Sequence, residues 1–248
     1  MRIAVLSDIH GNLLALEAVV RDLSANSPDA VVNLGDHLSG PLWAAATADL
    51  LMDQTAWLHI RGNHDRQMIE LQLDSMGKSD HAAVRQLAPR HRAWLASLPP
   101  MARIAETVLL CHGTPASDNE YLMEDVSGGF ARVAGNDQLR ARLGSATGTI
   151  LCGHSHVQRF VRLADGTIIA NPGSVGIQAY TDLEHRSPHV IETGSPYARY
   201  LLLDRRGPSW EATMRFVEYD WDAAAQLAQA GGRPEWCHAL RTGYAAQE

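Results

Sequence analysis

The chain has 248 residues, of which 46% are hydrophobic, so it can bury a full core, and we predict a single domain over residues 1–248. No run of about 18 apolar residues occurs, which argues against a membrane span. The N-terminus lacks the pattern of a signal peptide, and the three cysteines are widely spaced. Both features favour a reducing cytoplasm. A net charge of −7 disfavours nonspecific binding to nucleic acid or anionic lipid.

In the first hundred residues, the spacing of apolar residues alternates between strand and helix. We predict strands at 2–7, 30–34 and 56–60, and helices at 12–25, from the Gly40-Pro41 turn to about Met52, at 65–75 and at 80–97. Strands that alternate with helices pair in parallel, so this half predicts a parallel α/β arrangement.

The second half of the chain is richer in strand patterns, which predicts a second, mixed sheet. We predict strands at 107–111, 149–153, 157–163, 167–171, 198–204 and 210–217, a loop at 177–196, and a helical tail from Trp221 that breaks near 231–234. The loop is predicted because the segment is polar and rich in turn-forming residues.

Polar residues follow five of the predicted strands at the point where each strand ends. They are Asp8 and His10, Asp36, Asn63, His112, and His154 with His156. Since ligands of α/β sheets bind beyond the carboxyl ends of strands, we expect these side chains to converge. In an extended chain, residues two apart point the same way, so we expect Asp8 to face the same side as His10, and His154 the same side as His156.

Two carboxylates, one amide and four imidazoles are too many donors for one octahedral ion. Two ions that share a carboxylate fit better, and Asp36, alone at its strand end, is the candidate bridge. Nitrogen and oxygen ligands without thiolate suit Mn²⁺, Fe, Zn²⁺ or Co²⁺. Two such ions would leave a net positive site that attracts phosphate even on an acidic protein.

Each motif also has a simpler explanation when taken alone. Gly35-Asp36 is an ordinary turn, Asn63-His64-Asp65 fits a helix N-terminus, and a single strand-end histidine such as His112 is usually structural. Cys111 and Cys152 are offset by one residue from the polar positions, so we predict buried core thiols. The remaining histidines are predicted to be surface or core residues: His37, His59, His81, His91, His185, His189 and His238.

Together, in this order, the five motifs resemble the signature of the calcineurin-like metallophosphoesterases. The resemblance extends through Asn171-Pro172-Gly173-Ser174-Val175-Gly176 and is strongest to the compact prokaryotic branch of phosphodiesterase-like and diadenosine-tetraphosphatase-like proteins. It implies a four-layer αββα sandwich of two mixed β-sheets flanked by helices. It also implies a pair of metal ions, manganese being favoured, one held by Asp8, His10, Asp36 and His156, the other by Asp36, Asn63, His112 and His154.

The resemblance implies hydrolysis of a small phosphate ester, with a phosphodiester or nucleotide favoured, by a hydroxide held between the two ions. We predict that His64 protonates the leaving oxygen as general acid, with Asp65 as its supporting partner and Asn12 as a phosphate contact. Neither a nucleic-acid scaffold nor a membrane is expected as partner, and the oligomeric state is open.

Two departures from the family pattern bear on the substrate. The Asp-x-x-Asp-Arg-Gly extension of protein phosphatases is absent, because Gly35-Asp36 continues as His37-Leu38-Ser39-Gly40. A longer segment, Ile177 to Pro196, replaces the short stretch usual after Val175-Gly176, and we hypothesise that it gates or selects the substrate. The alternatives are a non-catalytic, metal-stabilised scaffold of the same fold and a protein phosphatase.

Overall fold

Alternating strands and helices build the first half of the chain, in agreement with the apolar periodicity. The computed structural model describes residues 1–207 and 209–246. Its first elements are β1 (Arg2–Leu6), α1 (Leu13–Asn26), β2 (Ala30–Asn33), α2 (Ala44–Asp53), β3 (Leu58–His59), α3 (Asn63–Glu70), a short 3₁₀ turn (Leu73–Ser75), α4 (Lys78–Val84), α5 (Pro89–Ser97), β4 (Met101–Ile104) and β5 (Val108–Cys111).

The second half is dominated by strands. It consists of β6 (Glu124–Asp125), β7 (Arg132–Val133), α6 (Asn136–Leu143), β8 (Thr149–Leu151), β9 (Gln158–Arg162), β10 (Ile168–Pro172), β11 (Ala179–Asp182), β12 (His189–Glu192), β13 (Ala198–Arg206), β14 (Ser209–Val217), α7 (Trp221–Ala230) and α8 (Pro234–Thr242). In the described part of the chain, no helix is both long and apolar enough to cross a membrane.

Two five-stranded mixed sheets are formed by the described residues. The first has the order β14-β13-β1-β2-β3 and the second the order β4-β5-β8-β10-β9. β1, β2 and β3 are parallel to one another, as are β5, β8 and β10, while β13, β14, β4 and β9 pair antiparallel to their neighbours. Each sheet therefore has a parallel section whose carboxyl ends lie at one edge.

Alternation along the strands divides the core into layers. In β1, Val5 packs between the two sheets, whereas Leu6 faces the helices that cover the first sheet. In β5, Leu110 packs between the sheets, and Leu109 faces α6 on the outer side of the second sheet. The layers run helices, sheet, sheet, helix, which confirms the predicted four-layer αββα arrangement.

Several element predictions were wrong for identifiable reasons. The helix expected from Pro41 begins only at Ala44, because residues 37–42 form a buried loop beside the polar strand ends. The helix expected at 80–97 is two helices, since Pro89 removes a helical hydrogen bond and instead starts α5. The short strands β4, β6 and β7 and the helix α6 were missed; α6 buries only Leu139 and Leu143, too few apolar residues for a periodic signal.

The segment predicted as a loop at 177–196 contains an antiparallel hairpin of β11 and β12. Tyr180 pairs with Ile191 and Asp182 with His189. A bridge between Phe130 and Val190 attaches this hairpin to the β6–β7 region. The strands have only four residues each, so their pattern was concealed by the surrounding turn residues.

Candidate metal centre

The polar strand ends converge at one edge of the two sheets. Their ligand atoms form two groups, in each of which the atoms lie within 4.8 Å of one another: Asp8, His10 and His156 in the first group, and Asp36, His112 and His154 in the second. His154 and His156, separated by one residue, thus belong to different groups. All six side chains are buried except that of His154, which is partly exposed.

The backbone at five of these six positions is left-handed, which corrects the expectation of an extended chain. The positive φ angles are 56° at Asp8, 51° at His10, 54° at Asp36, 68° at His154 and 59° at His156. Asp and His tolerate this region better than most residues other than Gly. The side chains therefore converge through tight turns after the strands, and not through strand alternation.

Close approach of neighbouring loops explains two of the glycines beside these residues. A Cβ at Gly153 would collide with Ser7 and lie 2.9 Å from Asp8 Oδ2, and one at Gly62 would collide with the Asp36 carboxylate. Both glycines therefore let a loop pass directly against a carboxylate.

Backbone carbonyls orient three of the four imidazoles. The Nδ1 atoms lie 2.8 to 2.9 Å from carbonyl oxygens: His10 at Ser39, His112 at Leu34 and His156 at Ile177. A carbonyl can only accept, so Nδ1 carries the proton and donates, which leaves the Nε2 lone pair of a neutral ring directed into the cluster. This is the arrangement usual for histidines that bind a metal.

The donor atoms face one another in a way that calls for a cation. His10 Nε2 and His156 Nε2 are 3.2 Å apart, although both are acceptors when the rings are neutral. Asp8 Oδ1 is buried and has no hydrogen-bond partner among the residues described. A positive ion between these atoms would satisfy all three, so the first group fits a metal ion.

The second group also contains acceptor atoms that face each other. Asn63 Oδ1 lies 3.0 Å from His112 Nε2, which again sets two acceptors against each other unless a proton or a metal ion intervenes. Although burial acts to lower the pKa of His112, the Asp36 carboxylate raises it to about 10. Asn63 and its neighbours therefore also demand a cation.

Each carboxylate presents one oxygen to the cluster. Asp8 Oδ2 accepts from His154 N, and Asp36 Oδ1 accepts from His64 N, at 3.1 and 3.0 Å. Asp36 Oδ2 lies 3.2 Å from His112 Nε2 and 3.9 Å from His10 Nε2, and Asp8 Oδ1 likewise lies within 4.0 Å of nitrogens from both groups. Both carboxylates are thus placed between the two groups.

For the two carboxylates and for His10 and His154, the charge matches what metal ligands require. Burial acts to raise the pKa of Asp8, but His156 and His112 hold it at about 2, and His112 likewise keeps the pKa of the buried Asp36 well below its usual value. Burial and a neighbouring histidine lower the pKa of His10 to about 4 and that of His154 to about 3. The carboxylates are ionised and these two imidazoles are neutral at pH 7.

His64, the predicted general acid, lies beside the cluster and is one-third exposed. Its ring centroid is 5.6 Å from that of His10, and its Nδ1 lies 2.8 Å from Asp80 Oδ1. Although burial acts to lower the pKa of His64, Asp36 and Asp80 raise it to about 9. Asp80, buried at the start of α4, was missed because it is remote in sequence and stands in no motif.

Asp65 does not contact His64, which corrects the predicted pairing. Its carboxylate accepts from the backbone N–H groups of Asp36, His37 and Gly62 and contacts His37 Nδ1 at 2.7 Å. Asp65 therefore joins the start of α3 to the Asp36 turn, and supports the site through the backbone.

Asn12 is also occupied structurally. Its side-chain oxygen caps α1 by accepting from Ala15 N, while its amide donates to the Gly176 carbonyl and the Tyr219 hydroxyl. The side chain is fully buried, so the structure does not offer Asn12 to a phosphate.

Cys111 and Cys152 are buried in the core against α6, as predicted. Burial raises the pKa of the Cys111 thiol to about 12. Among the other histidines, His37, His59, His91 and His189 are buried, and His185 is half-buried. Of these, His185 and His189 lie close to the site, because both pack against Tyr121, whose ring contacts His154.

Comparison with known proteins agrees with this geometry. Over 252 residues the chain is 26% identical to an uncharacterised protein of Methanocaldococcus jannaschii, with 94% of each chain covered. A metallophosphoesterase structure from Sphaerobacter thermophilus is 26% identical, with a TM-score of 0.72 over 97% of this chain and 98% of that chain. A hypothetical protein of Pyrococcus horikoshii shares the fold at 17% identity, with a TM-score of 0.74 and 99% of both chains covered.

A structure described as a putative diadenosine tetraphosphatase also has this fold, at 17% identity and a TM-score of 0.53, covering 86% of this chain and 93% of that chain. The family model of the calcineurin-like phosphoesterases matches residues 1–158, the part of the chain that holds both ligand groups. On these grounds, the chain belongs to the calcineurin-like phosphoesterase family.

Proposed function

We propose that this protein is a hydrolase of phosphate esters that works with two divalent cations. The observation that carries the proposal is the pair of adjoining ligand groups, whose facing acceptors require positive charge. One ion would be held by Asp8, His10, Asp36 and His156, and the other by Asp36, Asn63, His112 and His154. Manganese is our first choice of metal, because this set lacks thiolates and mixes carboxylate with imidazole.

Two bound cations supply an activated water nucleophile and neutralise charge on the phosphoryl oxygens. The protein itself supplies the proton for the leaving oxygen. His64 lies beside the cluster with Nδ1 engaged by Asp80, which leaves Nε2 for the substrate. Asp80 acts as a positioning residue, because its carboxylate fixes the orientation of the His64 ring.

A small phosphodiester or a nucleotide is the substrate class that we favour. The solved structure described as a putative diadenosine tetraphosphatase supports this choice only through the shared fold. The β11–β12 hairpin supports it further, because it brings the ring of Tyr180 to 4.8 Å from that of His156, and aromatic rings can stack on nucleotide bases. A cytoplasmic location, a single domain and the absence of nucleic-acid and membrane partners stay predictions.

A non-catalytic scaffold of the same fold is the alternative. The partly exposed His64, held by a buried carboxylate beside the cluster, favours catalysis, because a scaffold has no need of an oriented acid there. A protein phosphatase is less favoured, since the extension typical of those enzymes is missing after Asp36.

Metal content and diesterase activity test the proposal together. Wild-type protein loaded with Mn²⁺ is expected to bind two ions per chain and to hydrolyse bis(p-nitrophenyl) phosphate. If Asp36 bridges, Asp36→Ala weakens both sites and Asp8→Ala mainly one; Asp74→Ala, at an exposed position, serves as control. Loss of a single ion from each variant alike would contradict the bridge. A protein that binds two ions but hydrolyses neither diesters nor monoesters would overturn the proposed function.

A further inference from the structure

His154 is oriented differently from the other imidazoles of the two groups. Across residues 1–207 and 209–246, its ring nitrogens have no hydrogen-bond partner, whereas His10, His112 and His156 each donate to a carbonyl. The His154 ring instead packs against Tyr121, with centroids 4.7 Å apart and planes inclined by 35°. Tyr121 is therefore a contact that can fix the direction of the His154 nitrogens, beside the ring of His112, whose centroid is 5.1 Å from that of His154.

Tyr121 is itself held by a directed chain of hydrogen bonds. The Ser187 carbonyl lies 2.8 Å from His189 Nδ1, so Nδ1 donates and Nε2 accepts. The Tyr121 hydroxyl lies 3.0 Å from this Nε2 and donates to it, which leaves the Tyr121 oxygen to accept from the Tyr180 hydroxyl at 2.8 Å.

Three separate segments meet in this contact. Tyr121 follows β5 in a long connection, whereas Tyr180 and His189 come from β11 and β12. The Tyr180 hydroxyl also lies 3.4 Å from the carbonyl oxygen of His154, and the His185 ring stacks on Tyr121 at 5.9 Å. Because the Tyr180 proton is given to Tyr121, the connection from the hairpin to His154 runs through the Tyr121 ring.

We propose that Tyr121, aligned by Tyr180 and His189, is the positioning residue for His154. It thereby sets the affinity of the group that contains Asp36 and His112, and it couples occupancy of that group to the order of the β11–β12 hairpin. The inference rests on the metal binding in the proposed function. It goes beyond that function by assigning control of one ion, and not of the other, to residues outside the family motifs.

Mn²⁺ binding to Tyr121→Phe and Tyr121→Leu, measured by calorimetric titration, tests the assignment. Removal of a group that orients a metal ligand costs about 10- to 100-fold in metal affinity. Tyr121→Leu is therefore expected to lower the affinity for one Mn²⁺ ion by that factor and to leave the affinity for the other unchanged. Tyr121→Phe keeps the ring and loses the hydroxyl, so a smaller effect on the same ion is expected. Tyr219→Phe is the matched control. This buried tyrosine accepts a hydrogen bond from Asn12 and is not part of the chain that joins His189, Tyr121 and Tyr180.

Hydrogen exchange supplies a readout that simple destabilisation would not reproduce. In the wild type, Mn²⁺ should slow amide exchange in residues 179–192, and in Tyr121→Leu this protection should be lost. Unchanged affinity for both ions in folded Tyr121→Leu, or equal weakening of both, would overturn the positioning role. If Tyr121→Leu does not fold, Tyr121→Phe and Tyr180→Phe decide by the same criterion. A wild type that binds no Mn²⁺ would instead overturn the proposed function and the inference together.

Discussion

Backbone strain at single residues is concentrated in this site. Asp8, Asp36 and His154 are among the residues with positive φ, a conformation that costs about 1 to 3 kcal/mol per residue. Hydrogen bonds from neighbouring loops offset this cost: Asp8 N donates to the Gly35 carbonyl, and His154 N to the Asp8 carboxylate. The strained turns are thus held in place by one another, which keeps the ligand atoms in their groups.

The contact between Asp80 and His64 leads to a prediction at the same scale. Asp80→Asn removes the charge that orients His64, so turnover of an alkyl phosphodiester is expected to fall by about 10²-fold, with metal content unchanged. A p-nitrophenyl ester needs little protonation of its leaving group, so its turnover should fall far less. Steady-state rates on both esters provide the measurement.

Controls for this prediction come from neighbouring positions. Asp74→Asn changes an exposed carboxylate nearby and should leave both rates unchanged. His64→Ala should reproduce the dependence on the leaving group, and adding Asp80→Asn to it should cause no further loss. Equal losses on both esters would refute the acid role of His64.

At the scale of elements, different parts of the β11–β12 hairpin have different surroundings. The Ile177 carbonyl just before β11 orients His156, and Tyr180 and His189 hold Tyr121. The turn between the strands, at 183–188, is largely exposed. We therefore predict that the base of the hairpin supports metal binding and that its exposed turn takes part in substrate selection.

Replacing the exposed residues Leu183, Glu184 and Arg186 with Gly or Ser tests this division, while His185, which stacks on Tyr121, is kept. We expect metal content and hydrolysis of a generic diester to stay as in the wild type, while KM and the preference among nucleotides change. A panel of nucleotide substrates with added Mn²⁺ provides the measurement. Replacing Ala164 and Asp165 with Gly-Ser is the control, because that turn precedes β10 at the end away from the site. An unchanged substrate profile would mean that the turn has no part in selection.

For the molecule as a whole, a buried histidine outside the site makes stability depend on pH. His59 lies between the rings of Trp57 and Trp94, and burial lowers its pKa from 6.5 to about 3. The unfolded chain therefore takes up a proton at this residue below pH 6.5, and the folded chain does so only near pH 3. The contribution of His59 to the free energy of unfolding is therefore complete above pH 6.5, and it is lost as the pH falls towards 3.

Replacing His59 should remove the part of the loss of stability at acid pH that this residue causes. For one such group, the loss of stability between pH 7.5 and pH 5 is about 2 kcal/mol, and His59→Phe is expected to lack that loss. Urea unfolding at both pH values, with a chelator present, isolates the difference from the wild type. His238→Ala, at an exposed position, should behave like the wild type. Identical pH dependence in His59→Phe and wild type would contradict the prediction.

The order of residue types along the chain was sufficient to identify the seven candidate ligands and the family. Parallel strands share one edge, so Asp, Asn and His at successive strand ends must meet there whatever the details of the turns. The four-layer fold followed from the resemblance, and the longer strands and helices from periodicity, since both signals are carried by residues close together in sequence.

Contacts between distant segments were decided only by the tertiary structure. Asp80 contacts His64 from another helix, and Tyr121 hydrogen-bonds His189 of the β11–β12 hairpin. The Asp65 carboxylate accepts a hydrogen bond from the backbone of the Asp36 turn. No local pattern specifies such partners, because hydrogen bonds of this kind depend on where whole elements pack. The left-handed turns at Asp8 and His154 are likewise stabilised by neighbouring loops, so single-sequence periodicity could not distinguish them from extended chain.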